Sequence, residues 1–119
     1  MPVPQAFAAP QGGVVVGGQG AINQIDASTT VVTQKTPSLA VDWKSFNVGA
    51  NELVRFNQPS TSASVLNRIF DQQPSQIFGR IDANGRVFLI NPSGILFGKT
   101  ASVNVGSLVA SSMALDADS

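Results

Sequence analysis

The sequence predicts an all-β domain, and three observations carry that expectation. Apolar segments alternate with tight-turn chemistry along almost the whole stretch from Ala21 to Ser111. Most of those segments are too short for a helix and are rich in β-branched or aromatic residues. Sliding the chain by nineteen residues also places Phe78-Gly79-Arg80 on Phe97-Gly98-Lys99, Leu89-Ile90 on Leu108-Val109 and Phe70 on Leu89. A spacing near twenty suits one turn of a parallel β-helix, whose stacked coils share a core that no single coil can bury. An antiparallel sandwich with Asn84-Gly85 as a hairpin fits the same segments, and the residues alone leave both architectures open.

Taken in order, the chain begins with Gln5-Ala6-Phe7-Ala8-Ala9-Pro10, which has the form of the end of a secretory signal, cleavable before Ala9. Five glycines in Gln11–Gly20 surround Val14-Val15-Val16. They suggest a short strand in a flexible setting, since the Lys of a phosphate loop is missing. Residues 1–20 are therefore set apart as a residual signal end and flexible N-terminus, and 21–119 as the folded domain. Strands follow at Ala21–Ile25 and Thr29–Thr33, separated by Asp26-Ala27-Ser28, and Pro37 closes that unit. Leu39–Trp43 alternates, and Trp43, the sole tryptophan, reads as a core plug because its ring buries a large area. Further strands are expected at Glu52–Phe56, Ser64–Phe70 and Ser75–Ile81.

Turn signals are densest from Ile77 to Ser112. Asn84-Gly85 tolerates positive φ at both positions. Asn91-Pro92-Ser93-Gly94 combines a Pro that fixes φ with a Gly that supplies the conformation a Cβ forbids. Gly98–Ala101 and Asn104–Gly106 follow within a dozen residues. Between these turns lie strands at Arg86–Ile90, Gly94–Phe97, Ser102–Val105 and Ser107–Ser111. The expected core includes Trp43, Phe56, Leu66, Ile81, Leu89, Ile95, Val103 and Leu108. Asn47, Asn57, Asn67, Asn84, Asn91 and Asn104 are placed at strand ends or corners, where an inward amide can satisfy backbone groups that the corner leaves unpaired.

The run INPSGILFGKTASVNVGSLVASS resembles the signature of the two-partner secretion domain at the N-terminus of filamentous haemagglutinin-like and haemolysin-like exoproteins. That signature reads Asn-Pro-Asn-Gly-Ile, then Phe/Val-Gly, Ala-x-Val/Ile-Asn-x-Gly and Leu-x-Ala-Ser/Thr. Asn91, Pro92, Gly94, Ile95, Phe97, Gly98, Ala101, Val103, Asn104, Gly106, Leu108, Ala110 and Ser111 fall on it, and Ser93 replaces the second Asn. WKSFNVG, VRFNQP, SVLNRIF and SQIFGRI are similar to further family segments, so the resemblance spans about residues 20 to 112 in order. It implies a right-handed, single-stranded parallel β-helix of the pectin-lyase-like kind, with short extra-helical antiparallel strands. It also implies a secretion-recognition domain that leads a large adhesin, haemagglutinin, haemolysin or contact-dependent toxin out of a Gram-negative cell. The partner would be an outer-membrane transporter with periplasmic polypeptide-transport-associated (POTRA) domains. The domain is expected to be a monomer, exported through the periplasm to the surface or medium, and to continue beyond Ser119. An Asn-Pro-Asn-Leu motif of the haemagglutinin branch has no counterpart here.

Charge and inventory narrow the function classes. Seven basic and seven acidic residues cancel, which removes the bulk attraction a nucleic acid or anionic membrane would need. No apolar run approaches the ~20 residues of a membrane span. With no His and no Cys, the nucleophile–base arrangements of hydrolases have no members, and no thiolate or imidazole metal site is expected. Glu52 is the only Glu, and Asp42 and Asp82 sit in unrelated segments. Gly98-Lys99-Thr100 lacks the upstream Gly of a phosphate loop. No enzyme activity and no cofactor are expected. The candidate site is the motif turn of Asn91, Pro92, Ser93, Gly94, Ile95, Gly98, Asn104 and Gly106, with Trp43, Phe46 and Phe56 as aromatic contacts for the partner. A stand-alone adhesion module for carbohydrate or host protein is the second reading.

Overall fold

The computed structural model describes residues 9–113, all of them strand, turn or irregular segment without helix. The supposed signal end lies outside the described residues except for Ala9 and Pro10. The chain winds as a parallel β-solenoid of about four turns. The first coil contributes β3 (Thr29–Gln34) and β4 (Ser38–Trp43), and the second β5 (Leu53–Asn57), β6 (Ser64–Ile69) and β7 (Ser75–Ile77). The third contributes β8 (Arg80–Ala83), β9 (Arg86–Ile90) and β10 (Ile95–Phe97), and the fourth β11 (Ser102–Asn104) and β12 (Ser107–Ser111). Stacking makes three faces: a sheet through β4, β6, β9 and β12, a sheet through β3, β5, β8 and β11, and a short face of β7 and β10. Val48 extends that short face into the first coil by bridging Ile77.

Antiparallel strands occur where the chain comes in. β1 (Val14–Gly17) runs antiparallel along β4, and β2 (Gly20–Asp26) runs antiparallel along β3. Together they form a reversed half-coil that caps the solenoid at its N-terminal end. The boundary expected at residue 20 therefore falls inside the cap. Glycine here serves close approach rather than flexibility: a Cβ on Gly13 would stand 2.5 Å from the Trp43 ring, and one on Gly20 2.7 Å from the Thr33 carbonyl.

Inward side chains stack in ladders, one residue per coil. Leu39, Val65, Val87 and Leu108 form one, and Thr30, Val54, Ile81 and Val103 another. Trp43, Phe56, Ile81 and Leu89 are buried as expected. Ile95, Val103 and Leu108 are only half-buried, because they belong to the last described strand of each face. Leu66 is a correction. It points outward, in a row with Ala40, Phe88 and Val109. Alternation along β6 buries Val65, Asn67 and Ile69 instead, so a polar residue takes the inward place that apolar patterning assigned to its neighbour.

Three further expectations change. Ser75–Ile81 is two strands on different faces, broken at the Phe78-Gly79 corner. The repeat of nineteen is out of register, since Ile95 lies over Ser75 at an offset of 20 residues and Ser102 over Arg80 at an offset of 22. Asn84-Gly85 joins two different sheets rather than closing a hairpin, and neither residue has positive φ.

Candidate functional site

Of the motif residues, Asn91, Pro92, Ser93 and Gly94 occupy the corner between β9 and β10, where Asn91 ties three coils together, while Gly98, Asn104 and Gly106 lie beyond β10. Asn91 is fully buried. Its Nδ2 donates to Ser75 Oγ at 3.0 Å and to the Gln73 carbonyl at 3.2 Å, both in the preceding coil. Its Oδ1 accepts from the Ser93 amide at 2.9 Å, and its own amide donates to the Ser111 carbonyl of the following coil at 3.0 Å. The Gly94 amide closes the turn on the Asn91 carbonyl at 2.8 Å. Pro92, exposed, fixes φ within this turn. Ser93 Oγ reaches the Asp71 carbonyl at 2.7 Å, so the serine in place of the second Asn also ties this corner to the coil before it. Gly94 has φ +112°, a region that disfavours any Cβ, and Ile95 packs against the core.

Gly98 and Gly106 are required by contact, not by dihedral. A Cβ on Gly98 would sit inside the Phe78 ring, and one on Gly106 2.8 Å from the Gly85 carbonyl. The Gly106 amide donates to that carbonyl at 2.9 Å. Asn104 is exposed, with its amide 3.5 Å from Asp82 Oδ1 and 3.4 Å from Ser102 Oγ. It clasps no backbone, unlike the role expected of it. Asn67 also departs from the expected corner position: it lies inside β6, accepts from Trp43 Nε1 at 2.9 Å and donates to the Phe88 carbonyl at 3.1 Å.

Trp43, Phe46 and Phe56 are all buried, at 2%, 0% and 1% exposure. Trp43 and Phe46 meet edge to face at 5.4 Å. In the folded domain these rings offer no surface to a partner. Trp43 and Phe56 take inward positions of β4 and β5, and Phe46 is buried in the segment that follows β4.

Sequence reasoning missed a second polar stack, at the corner between the two large sheets. Gln34 Nε2 donates to the Thr36 and Ser64 carbonyls at 2.7 and 2.9 Å, and its Oε1 accepts from Gln58 Nε2 at 3.2 Å. Gln58 Oε1 accepts the Gly85 amide at 2.7 Å, while the Asn84 side chain clasps both backbone groups of Gln58 at 2.7 and 2.8 Å. The sequence signals were Asn84, placed at a corner with its amide on backbone as expected, and Gln58 standing before Pro59 at the end of a strand.

Among the described residues the carboxylates are engaged in structural work. Glu52 Oε1 accepts the Gly49 amide at 2.6 Å, and Asp42 takes a bidentate pair from Arg68 at 2.7 and 2.8 Å. That hydrogen bond holds the Arg68 guanidinium above its ordinary value, against the weaker effect of desolvation. Asp26 Oδ1 accepts the Ser28 amide and hydroxyl at the β2–β3 turn, which lowers its carboxyl below the usual range. Among the described residues no group of His, Cys, Asp or Glu is clustered to hold a metal ion.

A short parallel solenoid with a strand cap, with Asn91 buried in one of its corners, defines the class of capped β-helical domains. The family model for the TPS secretion domain matches residues 6–118, and the chain belongs to that family. It is 39% identical over 107 residues to the heme/hemopexin-binding protein of Haemophilus influenzae strain Rd, and 36% identical over 107 residues to a second such protein from Haemophilus influenzae. Each match covers 90% of this chain and 12% of the relative's length. The crystal structure of the HMW1 secretion domain from Haemophilus influenzae superposes with a TM-score of 0.85 at 37% identity, covering 92% of this chain and 29% of that one.

Proposed function

We propose that this domain is the address by which an outer-membrane transporter takes up a large exoprotein for two-partner secretion, and the first piece of that exoprotein to fold outside the cell. Membership of the TPS secretion family supports this reading. In it, a periplasmic POTRA module of the transporter captures the domain as a monomer by adding a strand to it, where main-chain bonds give affinity and side-chain pockets selectivity. The observation that carries the mode is the free edge of β2, which, like β1 in the other large sheet, has a neighbour on one side alone.

The phase of that edge follows from one bond. Lys35 N–H donates to the Gln19 carbonyl at 2.8 Å, so the backbones of Ala21 and Asn23 face β3. The N–H and C=O groups of Gly20, Ile22 and Gln24 then face outward. β2 carries no charge before Asp26, and neither Pro nor Lys guards it. This chain has no His, Cys or Tyr to ligate iron, so the reading gives it no part in the haem chemistry that the relatives' names carry.

A binding titration of the isolated periplasmic module tests the proposal. Wild type and Gly94→Val should bind alike, with weak salt dependence, whereas Gln24→Pro removes an outward N–H without touching the β3 ladder and should lose binding. Undiminished binding by Gln24→Pro, or binding abolished by moderate salt, would remove strand addition. No binding of wild type would remove the transporter as partner.

A further inference from the structure

Asn84-Gly85 is the only Asn-Gly pair in the sequence. This dipeptide is chemically the most labile an asparagine can form. The backbone nitrogen of the glycine attacks the asparagine Cγ, a five-membered succinimide closes and ammonia leaves. Water then opens the ring to aspartate or to isoaspartate, in which the main chain runs through the side-chain carbon. A glycine permits the attack because no side chain hinders its nitrogen. The other asparagines precede Gln, Val, Glu, Arg or Pro and lack this freedom.

The fold places both reacting groups in the grip of one residue. The attacking nitrogen, Gly85 N, is turned onto Gln58 Oε1 at 2.7 Å. The amide to be attacked is held on the Gln58 backbone, Oδ1 accepting from its N–H at 2.8 Å and Nδ2 donating to its carbonyl at 2.7 Å. Gln58 is itself fixed, since its Nε2 lies 3.2 Å from Gln34 Oε1 and 3.2 Å from the Arg86 carbonyl. Nor can the corner relax: the place of a Gly85 Cβ is 2.6 Å from the Ala63 carbonyl, and β8 and β9 on either side are locked in register to β5 and β6. Attack of Gly85 N on the Asn84 amide would break three short hydrogen bonds together, two at the amide and one at the nitrogen.

We infer that Asn84 is a deamidation site that folding switches off, with Gln58 as the residue that protects it. The product harms the corner that the reaction needs open. A carboxylate in place of the amide would set an oxygen against the Gln58 carbonyl where Nδ2 now donates, and isoaspartate would insert a methylene between two strands of fixed register. A chain kept unfolded accumulates damage at Asn84, and a folded one does not.

Peptide mapping by mass spectrometry of the 119-residue chain, incubated at neutral pH across a guanidinium series, tests this. Conversion of Asn84 to the acid forms should rise with the loss of Trp43 fluorescence, by at least about tenfold between the folded and unfolded plateaus, as for any reaction that requires local opening. A rate that stays level through the transition would overturn the inference. Under native conditions Gln58→Ala, with its fold checked by the same fluorescence, should deamidate at Asn84 faster than wild type. Should that variant fail to fold, the guanidinium series on wild type decides alone. A folded Gln58→Ala that keeps Asn84 as long as wild type would overturn the protecting role.

Discussion

At the residue scale, Asn91 shows how a short polar side chain acquires a role no apolar residue could fill. Corners leave main-chain groups without strand partners, and a buried amide can meet an acceptor and a donor at once. Asn91→Ala would leave Ser75 Oγ, the Gln73 carbonyl and the Ser93 amide without this partner, at a cost of about 2–3 kcal/mol. Gly94→Val should cost at least as much, through φ +112° alone, because only Pro74 lies near its missing Cβ. Thermal unfolding checks both, and secretion should fall in step with the midpoint. A block of secretion by Asn91→Ala at an unchanged midpoint would mean that the residue is read directly. The sequence made Asn91 and Gly94 legible because turn chemistry is local. Gln58 stayed hidden because its partners stand 26 to 28 positions away in Asn84, Gly85 and Arg86, and no local pattern marks a glutamine that folds back into its own corner.

At the scale of elements, strand existence was readable and strand phase was not always so. Alternation located β3, β4, β6 and β9 closely, since period two is a direct consequence of the pleat. It failed at Leu66, where the Trp43 indole demands a polar partner and draws Asn67 inward. It also merged β7 with β8, because the Phe78-Gly79 corner carries no Pro or Asn to announce itself. The cap was misjudged for a related reason: glycines that look like slack are the surface on which β1 and β2 meet the Trp43 and Leu39 side chains. Gly13→Val should therefore lift the cap from the first coil. The expected readout is a red shift of Trp43 emission with the β content nearly retained; an unchanged spectrum would show that the cap seats without that contact.

At the scale of the whole molecule, the solenoid is close to one-dimensional, each coil held by its neighbours alone. Stability should then grade along the axis rather than fail as a block. β4, β6, β5 and β8 lie between two neighbours and bury their inward residues, whereas β10, β11 and β12 have one neighbour among the described strands and stay half-exposed. Native-state hydrogen exchange should find the slowest amides in β6 and the fastest strand amides in β10 to β12. Uniform protection across all four coils would contradict a nearest-neighbour architecture. The lack of His removes the one side chain whose unperturbed titration falls between about pH 5 and 8, so this ordering should hold over that range.

The corner built by Gln34, Gln58 and Asn84 is crossed by loops of unequal length. Six residues separate β5 from β6, and two separate β8 from β9, yet the strands on either side keep their pairing. What fixes the corner is the amide clasp, not the length of chain that bridges it. Residues 59–62 bulge outward, exposed, with no inward side chain among them. Natural variation and deliberate grafting thus have a common address on this scaffold, a loop that can grow or shrink while every coil beneath it stays in place.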